Sequence, residues 1–133
     1  MNYLLDTNII IFFFKGKFGI GPKMKKIGIK HCFISEITLA ELKYGAANSQ
    51  RPAKHTKEIE DLLAFISVIP ITSAIDLFAT EKARLRKIGM LIDDFDLLIG
   101  CSAIVNDMIL VTNNTKHFQR INNIQLEDWI VPI

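Results

Sequence analysis

Cysteine is scarce in this sequence, with two in 133 residues. Cys32 in "HCFIS" and Cys101 in "LLIGCSAIV" lie among apolar neighbours, and no metal-ligand spacing links them to each other or to a histidine. Both read as small buried side chains, which argues against a Cys/His zinc site. A disulfide between them stays open, with a reducing cytosol the expectation. Long apolar runs are missing too. The longest covers residues 9–14, against the roughly 20 residues that a bilayer span needs. No basic n-region with a cleavage site marks a secretory leader, so a cytoplasmic protein without a membrane segment is expected. Net charge is nearly absent at +2, too little to demand a polyanionic partner. Repeats, low-complexity tracts and linkers are absent as well. One domain spanning residues 1–133 is expected.

What is there suffices for a core. Half the residues are hydrophobic and 23% are charged, the balance of a globular chain. Positive charge is clustered. Six lysines fall between Lys15 and Lys30, and Lys82, Arg84, Arg86 and Lys87 form a second group. Either cluster reads as a phosphate contact or as a solvated helix face.

The elements alternate. "YLLD" predicts a strand and "NIIIFFFKG" a helix ending near Gly16. Residues 17–30 read as a loop with a short helix, and "HCFIS" as a second strand. Ser35 is placed to N-cap "EITLAELKYGAA", with Glu36 in the first turn. A polar break at residues 49–53 precedes a helix over 54–66, then a strand at "SVIPI". "SAIDLFATEKARLRKIG" has helical spacing and a glycine stop. "DDFDLLIGCSAIVND" describes a buried helix with an acidic start. "MILVT" is a fourth strand, and "IQLEDW" adds an edge strand. This order implies an α/β fold, a mostly parallel sheet of four to five strands with helices on both faces.

Ligands of open α/β sheets bind beyond the carboxyl ends of the strands. Asp6 follows the first strand, Glu41 lies on the helix after the second, and Asp96 opens the buried helix before the fourth. Thr112-Asn113-Asn114 closes that fourth strand. The inferred fold can bring these positions to one sheet edge. Clustered carboxylates repel one another unless a cation neutralises them. Oxygen ligands without a Cys/His set favour Mg²⁺, or Mn²⁺ as a substitute, over zinc. Such an ion suits phosphodiester chemistry. Taken singly, each acid reads equally as a hydrogen-bonded cap at a strand or helix end.

Four motifs in order, "YLLDTNIII", "SEITLAELKYG", "IDDFDLLIGCSAI" and "LVTNNTKHFQRI", closed by "LEDW", resemble the PIN-domain ribonucleases of the VapC toxin family over nearly the whole chain. The resemblance implies a three-layer α/β/α PIN-like fold and an Mg²⁺-dependent endoribonuclease that inhibits translation. It also implies neutralisation by a VapB-type antitoxin, a homodimer, and assembly into a larger toxin–antitoxin oligomer. Carried over by position, Asp6, Glu41 and Asp96 match the family's metal-binding acids. Asn8 and Thr112 match its supporting polar residues. Asp6 and Asp96 are then direct ligands, with Glu41 a ligand or a water-orienting base. One departure stands out. Where many members carry a fourth acid, this chain has Asn114 and His117, and an amide contributes no charge. Asp93 and Asp94 are accessory candidates. Asp93 would share a face with Asp96 if both were helical, and one of the pair is expected to cap the helix.

Other residues carry less. His31 and His55 read as loop or surface residues, whereas His117 lies near the site in sequence. Tyr44 and Phe118 could stack on bases, but Tyr44 lies on an apolar-spaced helix and Phe118 reads as core. Trp129 reads as a packing anchor. The run Ile9–Phe14 is apolar all round, which fits either a helix sandwiched in the core or one face of a partner interface. Two other functions compete. One is a catalytically weak PIN-like module that binds RNA or protein. The other is an aspartyl phosphotransferase, against which "DTN" lacks the second acid of a D-x-D motif.

Overall fold

The computed structural model describes residues 1–130. Five strands form one sheet: β1 (Asn2–Leu5), β2 (Cys32–Ser35), β3 (Ser67–Ile69), β4 (Met108–Val111) and β5 (Leu126–Glu127). Their order is β3-β2-β1-β4-β5, and every neighbouring pair is parallel. The helices are α1 (Thr7–Phe14), α2 (Ile20–Ile27), α3 (Glu36–Ala47), α4 (Pro52–Leu63), α5 (Ile75–Lys87), α6 (Asp94–Val105) and α7 (Thr115–Phe118). This is the expected α/β/α arrangement, with its sheet wholly parallel.

Successive strand residues face opposite sides of a sheet, so β1 feeds two cores. Leu5 packs with Ile9, Ile10, Ile20, Met24, Ile34 and Leu42 beneath α1–α4. Leu4 packs with Leu85, Leu97, Ile99, Leu110 and Phe118 beneath α5–α7. A strand buried on both faces has no polar face on which to carry a carboxylate. Asp6 therefore falls at its end, where the backbone N–H still reaches Val111 O at 2.9 Å. Strand order turns back between β1 and β4, and the carboxyl ends of these two strands define the crevice in which such folds bind ligands.

Several boundaries differ from the sequence reading. Helix α4 begins at Pro52, inside the expected break, because proline is tolerated at the first helical position, where no N–H partner is lost. It ends at Leu63, short of Ile66. The Lys- and Gly-rich stretch contains a full eight-residue helix, α2, anchored by buried Ile20 and Met24. Tyr44 departs from the packing its helix suggested and is 69% exposed. Phe118 and Trp129 are buried, and both cysteines are buried and unpaired. Among the described residues no helix is long and apolar enough to cross a membrane.

Candidate functional site

Asp6 is the buried N-cap of α1, and its Oδ1 accepts from Thr7 N at 2.8 Å. Its Oδ2 accepts from the hydroxyl of buried Thr112 at 2.9 Å, across the β1/β4 crevice. Thr112 is itself fixed, since its Oγ1 accepts from Asn114 N at 3.0 Å. Burial pushes the Asp6 carboxyl above its usual range. The Thr112 and Thr7 bonds oppose that shift, and the Glu41 charge adds to it.

Glu41 arrives on α3. Ser35 caps this helix as expected, its hydroxyl accepting from Thr38 N at 3.1 Å. The Thr7 hydroxyl donates to Glu41 Oε1 at 2.6 Å and lies 3.1 Å from the Thr38 hydroxyl. A threonine hydroxyl has one proton. Thr7 therefore gives its proton to the carboxylate and accepts from Thr38. Sequence reasoning missed both threonines. The available signal was Thr7 itself, set between Asp6 and Asn8 in "DTN".

Asp96 lies in the first turn of α6. Its pKa is raised from about 3.8 to about 6, first by burial and then by the charges of Asp6, Asp93 and Glu41. The three acids expected at one edge do stand within electrostatic reach of one another there. None of the ion pairs among the described residues involves them.

The remaining candidates divide. Asp93 is the N-cap of α6 rather than a helical residue on the Asp96 face, and its Oδ2 accepts from Phe95 N and Asp96 N. Its extended backbone (φ −55°, ψ 139°) turns the side chain back over the first turn. Asp94 points away, paired with Lys82 at 2.9 Å. Asn8 and Asn113 are exposed, and neither bonds to an acid of the cluster. The Asn114 amide lies 2.9 Å from His117 Nδ1, so its side chain is taken up by α7.

By chemistry the cluster fits a hard divalent cation. Its donors are oxygens, they repel one another, and no ammonium or guanidinium balances them. Its geometry is not closed. Among the described residues no group of three His, Cys, Asp or Glu side chains stands ready to hold a metal ion. Glu41 is bonded instead to the Thr7 hydroxyl, and Asp6 to the Thr112 hydroxyl.

Beside Glu41 lies a groove of about 580 Å³ between α1, α3 and α4. It is lined by apolar Ile11, Phe14, Leu42, Ala46 and Ile59, with Lys15, Lys54 and His55 among its polar residues. The apolar run of α1 thus serves both sides. Ile9 and Ile10 are buried, while Ile11 and Phe14 open onto the groove.

Comparison with known proteins identifies the family to which the fold belongs. Residues 3–124 match the PIN domain. The chain is 36% identical to Ribonuclease VapC2 of Haemophilus influenzae, over 98% of this chain and 99% of that protein. It is 34% identical to the tRNA(fMet)-specific endonuclease VapC of Shigella flexneri, over 97% and 98%. It superposes with a TM-score of 0.89, at 32% identity and over 97% and 99% of the two chains, on a chain of VapBC2 from Rickettsia felis bound to a promoter DNA fragment. Matched by the PIN domain over most of its length and by these ribonucleases across nearly all of it, this chain belongs to the PIN-domain family, among the VapC ribonucleases.

Proposed function

We propose that the chain is a metal-dependent endoribonuclease toxin that cuts RNA, inhibits translation and is silenced by a VapB-type antitoxin. The observation that carries the reading is the gathering of charge at one sheet edge without a cationic partner: the Glu41 charge adds to the raised pKa of Asp6, and the charges of Asp6, Asp93 and Glu41 add to that of Asp96. When bound, Mg²⁺ or Mn²⁺ supplies charge that offsets the phosphodiester oxygens and lowers the proton affinity of a water. Asp6, fixed by Thr7 N and Thr112 Oγ1, is the anchoring ligand. Asp96 is the second ligand, and its pKa of about 6 means that it sheds its proton only as the pH approaches neutrality. Glu41 leaves the Thr7 hydroxyl to join them, or stays there and takes a proton at Oε2. Asp93 orients the first turn of α6, and Thr112 and Thr7 orient the acids. tRNA(fMet), named for the Shigella flexneri relative, is the first RNA to offer.

The apolar groove beside Glu41 gives an antitoxin segment a seat from which it reaches the site. Solved relatives that are VapBC assemblies support such a partner. A homodimer belongs to the same reading and is checked by light scattering. Expression of the chain alone should arrest growth, and Asp6→Asn should relieve the arrest while the purified variant keeps its unfolding transition. The alternative, a module that binds without cutting, is favoured by Asn114 being engaged with His117 where many family members carry an acid. It predicts equal arrest from the folded Asp6→Asn protein.

A further inference from the structure

We infer that a second, cationic cleft binds an RNA phosphodiester adjacent to the one cut, through Lys116, Gln119 and Arg120. The inference rests on the RNA-cutting function proposed above. The cleft, of about 520 Å³, is lined by Met90, Lys116, Gln119 and Arg120. Met90 belongs to the segment between α5 and α6, and the other three lie on or just after α7.

Both walls lead to the acid cluster within a few residues. Arg120 Nη1 donates to Leu91 O at 3.1 Å. Leu91 is two residues before Asp93, a span of at most about 7 Å of chain, and Asp93 bonds Asp96 N. On the other wall, Lys116 is two residues after Asn114, whose N–H bonds Thr112, the donor to Asp6. Helix α7 also packs on the flank of α6 that carries the site. Phe118 Cδ1 lies 3.5 Å from where a Cβ on Gly100 would stand, and Gly100 is four residues after Asp96, on the same face.

The charges make the cleft an anion site. A cluster of acids repels a polyanion, so a strand must be held by positive charge beside it. Among the described residues no carboxylate lines the cleft, and neither Lys116 nor Arg120 is in an ion pair. Three other basic groups are differently placed. Lys82 is bound to Asp94 and Arg84 to Glu81, while Lys15 lies in the apolar groove. Leu91, which follows Met90 and accepts from Arg120, is 45% exposed and offers an apolar surface to the bases of an unpaired strand.

The test is binding of a fluorescein-labelled single-stranded 12-nucleotide RNA, followed by anisotropy in EDTA across a salt series. Lys116→Glu and Gln119→Ala change exposed residues and are compared with Lys25→Glu, an exposed lysine on α2. Lys116→Glu should weaken binding roughly five- to tenfold at low salt and reduce the slope of log affinity against log salt by about 0.7, the value for one phosphate contact on a single strand. Lys25→Glu should change neither. Equal affinity and slope for Lys116→Glu, or equal loss from Lys25→Glu, would overturn the cleft. So would unchanged RNA binding with loss of a poly-glutamate probe, which would assign the surface to an acidic protein partner. Cleavage with Mn²⁺ is measured separately, where Lys116→Glu should raise KM and leave kcat unchanged. Absence of cleavage by the unmodified protein counts against the nuclease function, while the anisotropy comparison still decides the cleft.

Discussion

Replacing Asp96 by Asn should abolish activity and yet stabilise the fold. The Asp96 pKa rises from about 3.8 to about 6, because burial and the charges of Asp6, Asp93 and Glu41 disfavour its ionised form. At about 1.4 kcal/mol per tenfold in proton affinity, this represents ~3 kcal/mol of native-state penalty for the charge. Asp96 is partly exposed, and screening by solvent brings the figure to ~1–2 kcal/mol. The asparagine loses the favourable interaction of an anion with the helix N-terminus, worth ~0.5 kcal/mol. The net gain is ~1 kcal/mol, roughly 3–5 °C in Tm for a domain of this size. The sign with pH follows from a folded-state pKa raised above the unfolded one. The penalty is absent below about pH 4, grows as the pH rises through about 6, and is complete above that. Urea unfolding of both proteins in EDTA at pH 4, 5.5 and 8 measures it. The Asp96→Asn advantage should be near zero at pH 4 and largest at pH 8. A variant less stable at pH 8, or a difference that does not vary with pH, would refute the electrostatic account of the cluster.

Three further outcomes follow from the packing around the site. Thr112→Val keeps the shape but deprives Asp6 of its hydroxyl donor. It should cost ~1.5–3 kcal/mol at neutral pH and less in acid, where Asp6 is protonated, as read by urea unfolding at two pH values. Thr7→Val frees Glu41 and leaves Thr38 without its acceptor, so a loss of ~1–2 kcal/mol is expected in thermal unfolding. Gly100→Ala places a Cβ 2.4 Å from Ile121 Cδ1 and 3.3 Å from Ile124 Cδ1. Overpacking costs ~1–3 kcal/mol, more than the ~1 kcal/mol that helix propensity returns, so a lower urea midpoint is expected.

Much of this was legible because it is local. The Ser35 cap, the two-sided apolar strands and the acids at their ends are set by neighbours within a few residues. The parallel order follows from connections long enough to hold helices. What escaped depends on distant partners. Thr7 meets Glu41 34 residues away, and nothing in either segment announces the other. Asp93 and Asp94 look alike in sequence. A single backbone turn makes one the cap, and Lys82 from α5 takes the other. Tyr44 lies on a helix rich in apolar residues, yet it faces outward because Leu42 and Ala46 hold the buried side. The cationic cleft was invisible for the same reason. Its charges belong to no run of basic residues and converge only when α7 closes against the loop before α6.

In the proposed function, Asp6, Glu41 and Asp96 cut RNA with a divalent cation. The most direct measurement is cleavage of end-labelled tRNA(fMet) and total RNA by the purified protein in Mn²⁺, Mg²⁺ or EDTA, beside folded Asp6→Asn. Discrete fragments with either metal, none with EDTA and none from the variant are the predicted result. Fragments that persist in EDTA, or that Asp6→Asn still produces, would contradict it.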